Sequence, residues 1–239
     1  MNATRLALFA ATFSLSLVSP AGAQGTYWGS ETAEARQLEQ QYAAKRGTMG
    51  RAAHAMIAAC HNRSVDIGLA ILQRGGNAVD AFIAVTFADY VQAPGASSLG
   101  GPLGALVHDA KSGRVDHLSA SLKTASDPAA QWTAGATARG MQVLIPGAAA
   151  GLELMHRKRG RLPWSELVAP AERLAREGFP VDYLYAAILG TYRTTLAQSE
   201  YGRATFQHAD GTALRPGETL KLPALAATLA AIGKHGAAA

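Results

Sequence analysis

The chain has 239 residues, 49% of them hydrophobic and 16% charged, with a formal net charge of +5. That much apolar material supports one packed domain and excludes an intrinsically disordered chain. The small charge excess gathers at HRKRGR (156–161) without a recognition motif, so no nucleic-acid partner is expected. Arg157, Lys158 and Arg159 instead suit the last turn of a helix, where cations complement its dipole, with Gly160 just beyond.

The amino terminus reads as a secretory leader. Arg5 precedes the apolar run LALFAATFSLSLV (6–18), then Pro20 and the small-residue site Ala21-Gly22-Ala23. Cleavage is expected before Gln24, which makes the protein exported: periplasmic or secreted, with no membrane attachment after cleavage. The run is too short to span a bilayer. Residues 24–50 form a polar arm, with a charged helix expected over 31–47. RAAHAMIAAC (51–60) is expected as a short strand or a buried segment. Cys60, the single cysteine, leaves no internal disulfide and is expected as a small buried hydrophobe.

A helix is expected over about 64–74. Val65, Leu69 and Leu72 share one face, Ser64 is its cap, Asp66 lies in its first turn and Gly75 ends it. Gly76 then permits a sharp reversal, and Asn77 caps a second helix over about 78–92. That helix is apolar on nearly all sides and therefore central. The loop APGASSLGGP (93–102) leads into two strands, 103–109 and 114–120, joined by a hairpin turn with Gly113 at its left-handed position. One register sets His108 opposite His117; the other simple register separates them. No third ligand is evident, and no metal or cofactor is expected.

The rest is helical. Pro146 suits the first turn of a helix reaching about Arg159. A helix over 162–178 carries Leu167, Val168, Ala171, Leu174 and Ala175 on one face. Asp182 caps another, bearing Leu184, Ile188 and Tyr192. Residues 210–220 are a turn-rich connector, and 223–236 a last short helix.

These segments carry a resemblance. HNRSVDIGLAILQRGGNAVDA, APGASSLGG and VHDAKSGRV, followed by IPGAAAGLELMHRKRGRLPWSELVAPAERLAREGFPV and DGTALRPGETLKLPALAATLAAI, resemble the amino-terminal part of γ-glutamyltransferases, the glutathione hydrolases. The resemblance covers roughly 50–236. It implies an exported precursor of α+β class, with an N-terminal-nucleophile hydrolase αββα sandwich. Such a precursor cuts itself into large and small subunits, and the small subunit's first residue is a nucleophilic threonine acting on a γ-glutamyl amide. The domain 51–239 is then an incomplete large-subunit-like part, inactive by itself, whose partner is the missing carboxy-terminal half. Its substrate, once completed, is a small γ-glutamyl compound.

Within GGNAVDA, which carries much of the resemblance, Gly75, Gly76, Asn77 and Asp80 are expected to be structural, as a helix end, a reversal and a cap. Other roles follow from the resemblance. The paired Ser97 and Ser98 lie on the substrate side, in a glycine run that Pro102 interrupts. Leu122 stands where the family has an arginine that holds the substrate's α-carboxylate, and Lys123 follows it. Lys123 either substitutes for the arginine or is solvated; it lacks the guanidinium fork. Thr194-Thr195 faintly resembles the family's cut site, but in a helical context, and no catalytic residue is assigned within the chain. Two other readings stay open: a non-catalytic exported scaffold that binds a ligand or partner, and a relative that hydrolyses another amide.

Overall fold

A computed structural model describes residues 52–93, 97–124 and 144–238. The expected leader, most of the polar arm and its helix over 31–47 lie outside the described residues. Among those described are helices α1 (Asn62–Gln73), α2 (Ala78–Gln92), α3 (Ala148–Arg159), α4 (Trp164–Glu177), α5 (Tyr183–Thr191), α6 (Arg193–Leu196), α7 (Glu200–Phe206) and α8 (Pro223–His235). Two antiparallel pairs accompany them: β1 (Leu103–Asp109) with β2 (Arg114–Ala120), and the short β3 (Phe179–Pro180) with β4 (Thr219–Leu220). None of these helices is long and apolar enough to cross a membrane.

Helix α2 is the centre. Ile83, Ala84, Phe87 and Ala88 are fully buried, because α1 packs on one side of it and α4 on another. Helix α4 in turn lies along α8, and Leu167, Val168, Ala171 and Ala175 form its buried stripe. Trp164 joins three of these helices. Its ring meets Phe87 edge-on at 5.6 Å, and its indole N–H donates to the Ile232 carbonyl at 2.8 Å. The polar tip of a large apolar side chain is thereby satisfied.

The structure corrects several local expectations. Helix α1 starts earlier than Ser64: His61 is its cap, its ring nitrogen accepting the Arg63 N–H. Ser64 is buried instead, and Asp66 lies beyond the first turn. The inner face of α1 runs through Ser64, Gly68 and Ile71, while Leu69 is exposed. Small residues win there because α1 approaches α2 closely: a Cβ on Gly68 would lie 2.6 Å from Val85. Residues 52–60 form no strand and are largely exposed, Cys60 included. Pro146 precedes α3, whose cap is Gly147. Helix α5 buries Tyr185 and Leu189, the opposite choice from Leu184 and Tyr192, which are exposed. A helix apolar all round gives its own pattern no preferred face.

The reversal after α1 divides its work differently from the expectation. Gly75 N–H donates to the Leu72 carbonyl and Gly76 N–H to the Ile71 carbonyl, the paired bonds of a Schellman close. Gly75 carries the left-handed φ of +89°. Gly76 is needed for a different reason, because a Cβ there would lie 2.7 Å from the Ile71 side chain and 2.8 Å from its carbonyl oxygen. So Gly75 makes the turn, and Gly76 permits the contact.

Candidate functional site

Asn77 Oδ1 accepts the N–H groups of Val79 and Asp80, and Asp80 returns a bond to the Asn77 N–H, a reciprocal capping box. Asp80 is fully buried and also accepts the N–H groups of Arg161 and Leu162. Asn77 Nδ2 donates to the Arg159 carbonyl at 2.7 Å. Gly75, Gly76, Asn77 and Asp80 therefore lie together, joining the α1–α2 turn to the α3–α4 connector. Every oxygen of the pair is aimed at protein backbone.

The basic run is drawn into the same frame. Arg159 pairs with Asp116 and lies 3.8 Å from Asp109, tying the end of α3 to both hairpin strands. That guanidinium is the main influence holding the Asp116 carboxyl below its ordinary range. Arg161 reaches the Gly75 carbonyl at 3.1 Å, and the His156 ring meets the Leu162 carbonyl oxygen at 2.8 Å. Gly160 has extended backbone; it is small because a Cβ would strike His156.

The residues expected on the substrate side sit at the opposite end of α3. Ser97 N–H donates to the Ala93 carbonyl, and Ser97 Oγ is buried without a hydrogen-bond partner. Ser98 is exposed and turned into its own loop, its Oγ accepting the Gly100 N–H at 3.1 Å. The Gly101 carbonyl accepts from Ala148 N–H at 3.3 Å, which fastens this loop to the start of α3. Beyond β2, Lys123 forms an antiparallel bridge with Ile145 through bonds of 2.9 and 2.8 Å. The bridge fixes the Lys123 backbone and leaves its side chain exposed, while Leu122 is half-buried.

Two glycines gather these segments. A Cβ on Gly147 would lie 2.4 Å from the Ser121 carbonyl oxygen, and one on Gly151 would lie 2.4 Å from Ala120 Cβ. Only bare backbone lets α3 rest on the end of the hairpin. Neither residue was among those expected at the site. Their four-residue spacing in GAAAG was the available signal, since it sets both on one helix face.

Other candidates stand apart from this cluster. Thr194 and Thr195 are exposed in the short α6. His108 pairs with Val115, and His117 with Leu106, so the register separates the two histidines. No three His, Cys, Asp or Glu residues gather in a metal-holding arrangement among the described residues. A loop, a strand end and a helix start meet there.

Residues 64–239 match the family model described as gamma-glutamyltranspeptidase. The chain belongs to the γ-glutamyltranspeptidase family. It is 33% identical over 187 residues to glutathione hydrolase 2 of Arabidopsis thaliana, covering 77% of this chain and 32% of that protein. Its fold is similar to the Helicobacter pylori γ-glutamyltranspeptidase, with a TM-score of 0.68 and 26% identity, covering 78% of this chain and 56% of that one. The Bacillus anthracis transpeptidase CapD is similar as well, with a TM-score of 0.65 and 29% identity over 78% of this chain and 60% of that one. The fold is thus of the N-terminal-nucleophile hydrolase kind and of α+β class. This γ-glutamyltranspeptidase family member spans about a third of the length of the Arabidopsis relative.

Proposed function

We propose that this chain supplies the large-subunit part of a glutathione-hydrolase-type enzyme that cleaves or transfers γ-glutamyl amides. The family match over 64–239 carries the reading. The meeting of the 97–101 loop and the end of β2 at the start of α3 supports it, because these segments carry the residues that the resemblance sets on the substrate side. A threonine hydroxyl from a small-subunit partner would attack the γ-amide carbon, with its own free amine taking the proton. The amine product leaves, and water or an acceptor amine then releases the acyl group. We place this assembly outside the cytoplasm, periplasmic or secreted, because the sequence of residues 1–23 reads as a secretory leader. Purified 24–239 is expected to release no chromophore from a γ-glutamyl anilide, and to do so once the remaining carboxy-terminal half, small subunit included, is supplied. Turnover by 24–239 alone overturns the reading and returns Thr194 and Thr195 to consideration.

One observation favours a different acyl group. Leu122 is apolar and half-buried at the clamp position, and Lys123 beside it offers a point charge without a fork. A substrate lacking an α-carboxylate would need no clamp. In the completed enzyme Leu122→Arg is expected to improve kcat/KM for γ-glutamyl substrates by about ten-fold or more, the scale of one charge-assisted hydrogen bond. No change there, with retained activity on an amide lacking that carboxylate, favours the second reading.

A further inference from the structure

Leu122 and Lys123 leave the end of β2 in opposite directions. Exposure alternates there residue by residue: Ser119, Ser121 and Lys123 are exposed, while Leu118, Ala120 and Leu122 are half-buried. That is the period of an extended strand. The Ser119 and Ser121 hydroxyl oxygens lie 3.4 Å apart, so these two side chains share one side. Leu118 and Ala120 take the other, toward α3. A Cβ on Gly151 would lie 3.6 Å from Leu118 Cδ2 and 2.4 Å from Ala120 Cβ.

The alternation runs on past Ala120 because Lys123 is paired. Its N–H and its carbonyl both bond to Ile145, at 2.9 and 2.8 Å, which holds the backbone extended. Directly opposite side chains of such a pair share a face, and Ile145 is 53% exposed. Lys123 therefore stands with Ser121 and Ile145 on the outer face of the ribbon. Leu122 follows Ala120 on the face turned to α3. The Lys123 ammonium is carried away from the space that a guanidinium at position 122 would fill.

We propose that Lys123 does not stand in for the clamp arginine, and that Leu122 by itself meets the far end of the acyl group. The preferred substrates are then amides whose acyl chain ends there without a carboxylate. That preference rests on the enzymatic reading above. A carboxylate set against Leu122 gives up water for an apolar side chain and gains no charge-assisted bond, whereas a neutral end forfeits nothing.

In the full chain carrying Cys60→Ser, Lys123→Cys is expected to react with a maleimide as an exposed thiol does, and Leu122→Cys several-fold more slowly. Equal rates overturn the proposal without any need for turnover. With the remaining carboxy-terminal half supplied, kcat/KM for a γ-aminobutyryl anilide, which lacks only the α-carboxylate, is expected to exceed that for the γ-glutamyl anilide by about ten-fold. Lys123→Ala is expected to leave that ratio where it was. A preference of the wild-type protein for the γ-glutamyl anilide overturns the proposal and keeps the enzymatic reading. So does a fall of about ten-fold in γ-glutamyl kcat/KM on Lys123→Ala. Turnover of neither anilide overturns both.

Discussion

Asp80 accepts the backbone N–H of Arg161 at 2.9 Å, across 81 residues of sequence. The same carboxylate closes the capping box of α2 and takes the Leu162 N–H at 3.3 Å. One buried side chain thus fixes how the α3–α4 connector meets the start of the central helix. Asp80→Ala leaves several donors without acceptors. It is expected to cost about 3 kcal/mol or more, measured by urea unfolding. Asp80→Asn keeps the size and some of the bonds and is expected to cost less. Equal stability of Asp80→Ala and wild type would show that the connector is held elsewhere.

The two adjacent glycines are expected to fail differently. Gly75→Ala meets no atom within 4 Å and bears only the left-handed backbone, a cost of about 1–2 kcal/mol. Gly76→Ala forces the Cβ into Ile71, and Leu162 Cδ1 stands 3.0 Å away on the other side. Overpacking of this kind costs about 1–3 kcal/mol, and Gly76→Val is expected to exceed that and to harm folding outright. Thermal melts of the three variants should fall in that order. A normally melting Gly76→Val protein contradicts the packing account.

His61 gives the fold a pH dependence. Burial lowers its pKa, and Arg63 adds to that, while Asp182 and Asp89 pull it upward. Its Nε2 lies 3.8 Å from Asp182 Oδ2, where Asp182 caps α5. Because the folded value is depressed, the folded state binds fewer protons than the unfolded state. The contribution to stability is present above the ordinary value of 6.5 and is lost as pH falls through the folded value. Protonation also ends the bond from Arg63 N–H to His61 Nδ1. His61→Asn keeps a capping acceptor without the titration. Its stability is expected to be flatter below pH 6.5 than that of wild type; parallel curves would exclude His61 as the source.

Cys60 is exposed yet expected to be sluggish. Partial burial is the largest influence raising its thiol pKa, and the Asp89 carboxylate adds to it. The thiolate is the reactive form, so modification by a disulfide reagent near pH 7.5 should be slow. Asp89→Asn removes the charge and is expected to speed the reaction while the far-UV circular dichroism stays unchanged. An unaltered rate would mean that burial alone governs the thiol.

Much of the architecture was readable from periodicity and caps. The hairpin strands fall at 103–109 and 114–120 as their turn chemistry indicates, and Asn77 and Asp182 cap the helices that follow them. The α4 stripe is legible because polar residues fill its other face. Reading failed where local pattern carries no direction. Helix α5 is apolar all round, so only tertiary packing chose Tyr185 and Leu189. His61 outcompeted Ser64 as a cap because Ser64 is taken inward by Gln92, a partner 28 residues away. At the candidate site, Ser97, Ser98 and Lys123 were named from resemblance. The contacts that bring their segments together belong to Gly147 and Gly151, whose role is the absence of a side chain.

The hairpin β1–β2 has a further consequence. Its inner residues rest on α3, while Leu106 and Val115 on its outer face are 74% and 60% exposed. A two-stranded ribbon is marginal without support. Helix α2, enclosed by its neighbours, can release its amide protons only when the whole molecule opens. The ribbon can lift as a unit whenever its seam with α3 parts. Hydrogen exchange should therefore divide the chain into a slow helical interior and an early-exchanging ribbon, with Arg159 as the rivet between them.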